Sequence, residues 1–249
     1  MRRFLTKVRP SGGFAQILHL ALTIALPLLM YVFVRIDLAQ LAVAAIILSK
    51  WRMFAVRPRY WLANIQANGV DILAGLSFVI FMTQTTSQLW QLIWAVGYLM
   101  WLLLIKPGTS LLSTSIQALL AQLLGLMAVY MAWAGAPSFV LILAVWAICF
   151  VTARHFFTSF DEPYTRFLTS LWAFFGGCLA WITSHWLLYY GIVAQPALLL
   201  SVIGFSLSSM YYLEKAGKLS TLVRRQFLFI TLAIIVVVLV FSDWGDKTV

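Results

Sequence analysis

Lysine and arginine fall almost entirely into every second gap between the apolar stretches of this 249-residue chain. Such alternation belongs to a chain that crosses a bilayer repeatedly, because loops left on the cytoplasmic side keep their basic residues. The composition agrees: hydrophobic residues make up 63% of the chain, charged residues 10%, and mean hydropathy is +0.97. A soluble domain carries roughly 25% charged residues. With lipid as solvent, every backbone polar group must pair internally, which leaves helices or a closed barrel. The apolar runs are about 15 to 22 residues long and lack the two-residue alternation of barrel strands, so helices are expected.

The expected fold is an all-α polytopic bundle of about nine transmembrane helices in a single embedded domain, 1–249. Helices are expected at about 14–34, 37–54, 61–82, 88–105, 111–133, 138–157, 166–190, 196–213 and 222–242. Turn residues mark several gaps: Pro107-Gly108, Gly135-Ala136-Pro137, Pro163 and Pro196. With the N-terminus inside, the inner segments hold Arg2, Arg3, Lys7, Arg9, Lys50, Arg52, Arg57, Arg59, Lys106, Arg154, Arg166, Lys215, Lys218, Arg224 and Arg225. The outer segments hold only Arg35 and Lys247. The expected topology is therefore N-terminus cytoplasmic and C-terminus outside. Helix 2 is the weakest span. Its uncharged run, Leu38 to Ser49, is short, so Lys50 and Arg52 must snorkel. A re-entrant segment there would invert everything downstream.

Aromatic belts support the same spans. Trp90, Trp133, Trp186, Tyr189, Tyr190 and Trp244 mark an outer edge, and Trp51, Tyr60, Trp61, Trp101, Tyr211 and Tyr212 an inner one. Small residues recur at close spacing in helix 5 (Ala121, Gly125, Ala128), helix 7 (Ala173, Gly177, Ala180) and helix 8 (Ser201, Gly204, Ser208). Such faces let backbones approach where lipid supplies no hydrophobic drive, which assigns these helices to the interior. Helix 9 has no such face and is expected at the periphery.

The net charge of +10 follows from basic cytoplasmic loops and not from nucleic-acid binding. Cys149 and Cys178 have no CxxC or metal spacing and read as small apolar residues. Arg2-Arg3-Phe4-Leu5 faintly matches a twin-arginine export signal. The stretch Phe14 to Val34 is too long for a signal core, so a retained first anchor is expected. No HExxH, GxSxG or phosphate-loop pattern occurs; Tyr212 stands where the phosphate loop before Gly217-Lys218 would need its first glycine. His19, His155 and His185 form no local metal spacing, and no metal or other cofactor is expected.

Ionisable residues within membrane spans are costly, so each requires a reason. Asn64, Asn68 and Asp71 share one face of helix 3 and form a polar stripe entering from the cytoplasmic side. The stripe is either a cavity for a cation, proton or polar headgroup, or a hydrogen-bonded packing face. His19 in helix 1 is either Asp71's proton-linked partner or an interhelical histidine with its bonds satisfied. Arg154, His155, Asp161, Glu162 and Arg166 form the densest mixed-charge patch, at the turn between helices 6 and 7. It is either a salt-bridged interfacial turn or a site for a headgroup or Mg²⁺. Gln117 and Gln122 point to different faces of helix 5, and each can bond across helices.

Nine helices, an inside N-terminus, and acidic or amide residues at 64, 68, 71, 161 and 162 resemble the layout of UbiA-type prenyltransferases. That resemblance implies Mg²⁺-held prenyl diphosphate at two Asp-rich motifs. This chain departs from the family pattern: one Asp stands where NDxxDxxxD has several, and no DxxxD follows. Three classes of function stay open. One is a non-enzymatic membrane subunit or scaffold. Another is a transporter or lipid-handling protein using the Asp71 stripe, and the third is an intramembrane enzyme on an isoprenoid or lipid phosphate. The expected partners are the lipid bilayer and a membrane protein or lipid ligand. Compact size and short loops point to a prokaryotic cytoplasmic membrane.

Overall fold

A computed structural model describes residues 13–184, 189–190 and 193–243. It is all-α, with nine α-helices among those residues: α1 Phe14–Arg35, α2 Ala39–Leu48, α3 Trp61–Thr83, α4 Gln88–Met100, α5 Leu111–Trp133, α6 Ser138–Ser159, α7 Thr165–Thr183, α8 Gln195–Lys215 and α9 Thr221–Phe241. Local chemistry sets several of these ends. The Ser110 and Ser220 hydroxyls accept from the backbone N–H groups of Ser113 and Val223 and so cap α5 and α9. Pro196 sits in the first turn of α8, where its missing N–H costs nothing.

Six helices are long and apolar enough to cross a membrane: Ala63–Thr83, Gln88–Ile105, Leu111–Trp133, Ser138–Ser159, Gln195–Lys215 and Thr221–Phe241. Shorter apolar helices occupy Leu20–Arg35 and Ala39–Leu48. Two spans differ from the sequence expectation. The second stops after 10 helical residues, and short 3-10 turns at Trp51–Met53 and Pro58–Tyr60 carry the chain onward. At about 1.5 Å per residue that helix is only about 15 Å long. The seventh ends at Thr183 and not near 190. Tyr189 and Tyr190 pair antiparallel with Ala194 and Val193 in a two-stranded ribbon leading into α8. The aromatic run extends the helical expectation too far: by Tyr189 the chain is paired as a strand. His185 and Trp186 lie outside the described residues, as do Arg2, Arg3, Lys7, Arg9, Trp244 and Lys247.

The helices pack around two cores with α5 between them. In the first, α1 to α5 bury Met30, Ile46, Phe81, Met82, Tyr98 and Trp101. Aromatic rings dominate it: Phe81 lies 4.8 Å from Trp94 and Phe78 lies 5.7 Å from Tyr98, centroid to centroid. In the second, α5 to α8 bury Leu126, Val145, Cys149, Ala173, Ala180 and Leu200. Here small residues bring backbones together. A β-carbon at Gly176 of α7 would stand 2.6 Å from the Cys149 Sγ of α6, so only glycine permits that approach. Of the small-residue positions, Ala121, Gly125 and Ala128 of helix 5, Ala173, Gly177 and Ala180 of helix 7 and Gly204 of helix 8 are buried, whereas Ser201 and Ser208 of helix 8 are half-buried. The ninth helix packs on α8 and buries only Val238. Both cysteines are free.

Candidate functional site

Asp71 is the hub of an ion triad. It lies ten residues beyond Trp61, so about 15 Å along α3, half the thickness of a bilayer's hydrocarbon core. The Lys50 Nζ reaches its carboxylate at 2.8 Å and the Lys106 Nζ at 3.4 Å. The Trp101 indole N–H donates to its other oxygen at 3.3 Å. Lys50 is 8% exposed and Asp71 18%, whereas Lys106 is 40% exposed and reaches in from the surface. Each partner arrives by a distinct local device. Lys50 follows the last turn of α2, where the short helix ends opposite the third turn of α3. Trp101 and Lys106 bracket a π-helical turn, Trp101–Ile105, that ends α4, with the Lys106 N–H bonded to the Trp101 carbonyl at 2.9 Å. Trp101 is 1% exposed, so it is a core donor to Asp71 and not an interfacial belt residue as its position near a helix end implies.

The rest of the stripe is held within the protein. The Asn64 side-chain amide donates to the Met53 carbonyl at 3.3 Å and pins the 3-10 turn to α3. The Asn68 amide donates to the Asn64 carbonyl of its own helix at 2.9 Å. His19 belongs to α1, but its side chain lies outside the described residues.

The second patch divides. His155 turns inward: its Nε2–H meets the Gln117 side-chain oxygen at 3.1 Å, while the Gln117 amide donates to the carbonyls of Ile105 at 2.7 Å and Gly108 at 3.0 Å. That chain of bonds ties α6 through α5 to the α4–α5 turn. Arg154, Asp161, Glu162 and Arg166 instead line an open pocket of about 490 Å³ at the α6–α7 turn. Glu162 binds out of the patch, to Lys215 of α8 at 2.8 Å and to the Tyr211 hydroxyl, which donates to it. The Lys215 and Tyr211 hydrogen bonds hold the Glu162 carboxyl below the ordinary glutamate range. Among the described residues, Arg154 and Arg166 make no ion pair. Asp161 adopts a left-handed backbone, φ 51°, at the tip of the turn. The first helical turn of α7 begins after it and contains no acid.

A third polar hub lies between the helices of the second core. The Gln122 side-chain oxygen accepts from the Trp172 indole N–H at 2.9 Å and from the Thr152 hydroxyl at 3.3 Å, and its amide donates to the Leu200 carbonyl at 3.1 Å. One side chain thus joins α5, α6, α7 and α8. Sequence reading foresaw that Gln122 could bond across helices but not its partners, which lie 30, 50 and 78 residues away. It also missed that Lys50 and Lys106 converge on Asp71.

These bonds join the end of α2 to Asp71 in the third turn of α3, the ends of α4 and α6 to Gln117 in the second turn of α5, and the end of α8 to Glu162 in the α6–α7 turn. Lys50, Lys106, Glu162 and Lys215 therefore lie toward one end of the bundle, and Arg35 and Asp37 lie at the α1–α2 turn. Among the described residues, no three His, Cys, Asp or Glu side chains come together as a metal site. A carboxylate already shared by two ammonium groups is also a poor Mg²⁺ ligand. No family model matches the chain, and neither does any curated protein or solved structure.

Proposed function

We propose that this membrane protein crosses the bilayer nine times in a prokaryotic cytoplasmic membrane, N-terminus inside and C-terminus outside, and acts as a non-enzymatic subunit or scaffold. The observation that carries this reading is the occupation of Asp71. A carboxylate that moves protons or cations must exchange partners, and this one is held by Lys50, Lys106 and Trp101. Its role is to join α2, α3 and α4. Glu162 is similarly committed to Lys215 and Tyr211. The gathering of basic residues at one end supports the topology, with the short α2 and its 3-10 extension together making the second crossing.

Native mass spectrometry of the protein extracted gently from its own membrane tests the reading. The expected result is a stoichiometric protein partner, retained by any Asp71→Asn protein that still folds. A solute flux that the folded Asp71→Asn protein loses would overturn it. Lipid handling is the second reading, favoured by a cavity in the second core.

A further inference from the structure

A cavity of about 610 Å³ opens among α5, α6, α7 and α8. It exists because α7 packs tightly on α6 but touches α8 little. Ala118, Ala153 and Gly204 leave space in its walls, and Phe156, Trp172 and Leu207 bound it. Leu171 and Leu207, 51% and 49% exposed, place its opening on the outer surface of the bundle, toward lipid. Its volume lies in the range of sites that enclose a small organic ligand, about 300–1,000 Å³.

Two features define the occupant. The polar groups at the base are already paired: the Gln122 oxygen accepts from the Trp172 indole, its amide donates to the Leu200 carbonyl, and the one Thr152 hydroxyl hydrogen is shared between the Ile148 carbonyl at 2.8 Å and the Gln122 oxygen at 3.3 Å. A polar ligand gains nothing there, and hydrocarbon loses nothing. At one end the cavity meets Tyr211, whose hydroxyl joins Glu162 and Lys215 in a latch between the α6–α7 turn and α8. Beside that latch stand Arg154 and Arg166, half-exposed and exposed, which pair with no acid among the described residues. Arg154 precedes the cavity-lining Phe157 by three residues on the same face of α6. The surface around this end is basic, with Lys218, Arg224 and Arg225 following α8.

We propose that this cavity is a specific site for an anionic phospholipid, with an acyl chain between α7 and α8 and the phosphate on Arg154 and Arg166. The bidentate guanidinium fork matches a phosphate better than an ammonium does. The inference goes beyond the subunit reading, which stands whether or not a lipid is held.

Quenching of Trp172 fluorescence by chain-brominated lipid tests it on the full-length protein in nanodiscs, with Trp172→Phe isolating that ring's contribution. Brominated phosphatidylglycerol is expected to quench at a far lower mole fraction than brominated phosphatidylcholine. Arg154→Gln and Arg166→Gln, both on the surface, are each expected to weaken that preference about fivefold. Ser208→Phe, which fills the cavity, is expected to abolish Trp172 quenching. Equal quenching by the two lipids would overturn the proposal, since the groove would then hold bulk lipid only. So would a preference for phosphatidylglycerol that both arginine variants retain.

Discussion

The two cores solve the same problem with opposite chemistry. Around α3, helices that lipid cannot drive together are joined by full charges: Lys50, Asp71 and Lys106, closed over by Trp101 and packed with aromatic rings. Around α5 to α8 they are joined by neutral hydrogen bonds on Gln122, and small residues set the spacing. Charges in a low-dielectric setting hold strongly but tolerate no missing partner. Neutral bonds hold weakly and leave room, and the cavity lies on that side of the molecule. The difference teaches where this fold is rigid and where it can take up a ligand.

Breaking the charged core has the largest expected effect. Asp71→Asn strands Lys50, which is nearly buried, and removal of one partner from a buried pair costs about 3–5 kcal/mol. Denaturant unfolding in detergent should show that loss, and Asp71→Asn with Lys50→Met should recover much of it. If the single variant is as stable as the parent, the triad is not the tie between α2 and α3. Lys106→Gln, removing a cation that is 40% exposed, should cost no more than about 1 kcal/mol.

Breaking the neutral hub should cost less. Gln122→Leu removes bonds to three helices, and interhelical hydrogen bonds in membranes average about 0.6 kcal/mol each, so a loss of about 2 kcal/mol is expected in the same assay. A loss matching that of Asp71→Asn would erase the contrast between the cores.

The smallest effect belongs to the latch at the cavity's end. Because Glu162 is held below the ordinary glutamate range, its contribution to stability is complete above the unfolded value, about pH 4.3. It is lost as pH falls through the lowered folded value. Glu162→Gln should therefore be slightly less stable than the parent at neutral pH and indistinguishable from it in strong acid, as read from melting temperature against pH. A difference between the two that grows toward acid would contradict the assignment.

Much of this was legible in the chain because a span must satisfy its own backbone. Composition and hydropathy alone located α5 at 111–133, and α3 and α9 to within a residue. The errors arose where a long-range partner decided the local structure. Lys50 looked like a snorkelling residue because Asp71, 21 residues on, was out of sight of any local pattern. Trp101 looked like a belt residue because the π-turn that buries it has no sequence signature. The α7 end was overrun because the ribbon at Tyr189–Tyr190 is made by pairing with residues that follow it. At the candidate site, residue types were readable but pairings were not. Asp71 stood out as a costly acid and Glu162 as one member of a mixed-charge turn, whereas their lysines were counted among the loop charges.

The Lys50–Asp71 pair also constrains how the chain is made. The α2 segment is too short to hold itself in a bilayer, and α3 taken alone carries an acid that costs about 3 kcal/mol to insert near the centre. As the ribosome delivers them, each supplies what the other lacks: the lysine neutralises the acid, and the longer helix anchors the shorter. The pair is therefore expected to enter a bilayer as one hairpin, α2 waiting for α3, with Lys106 joining a pair already formed.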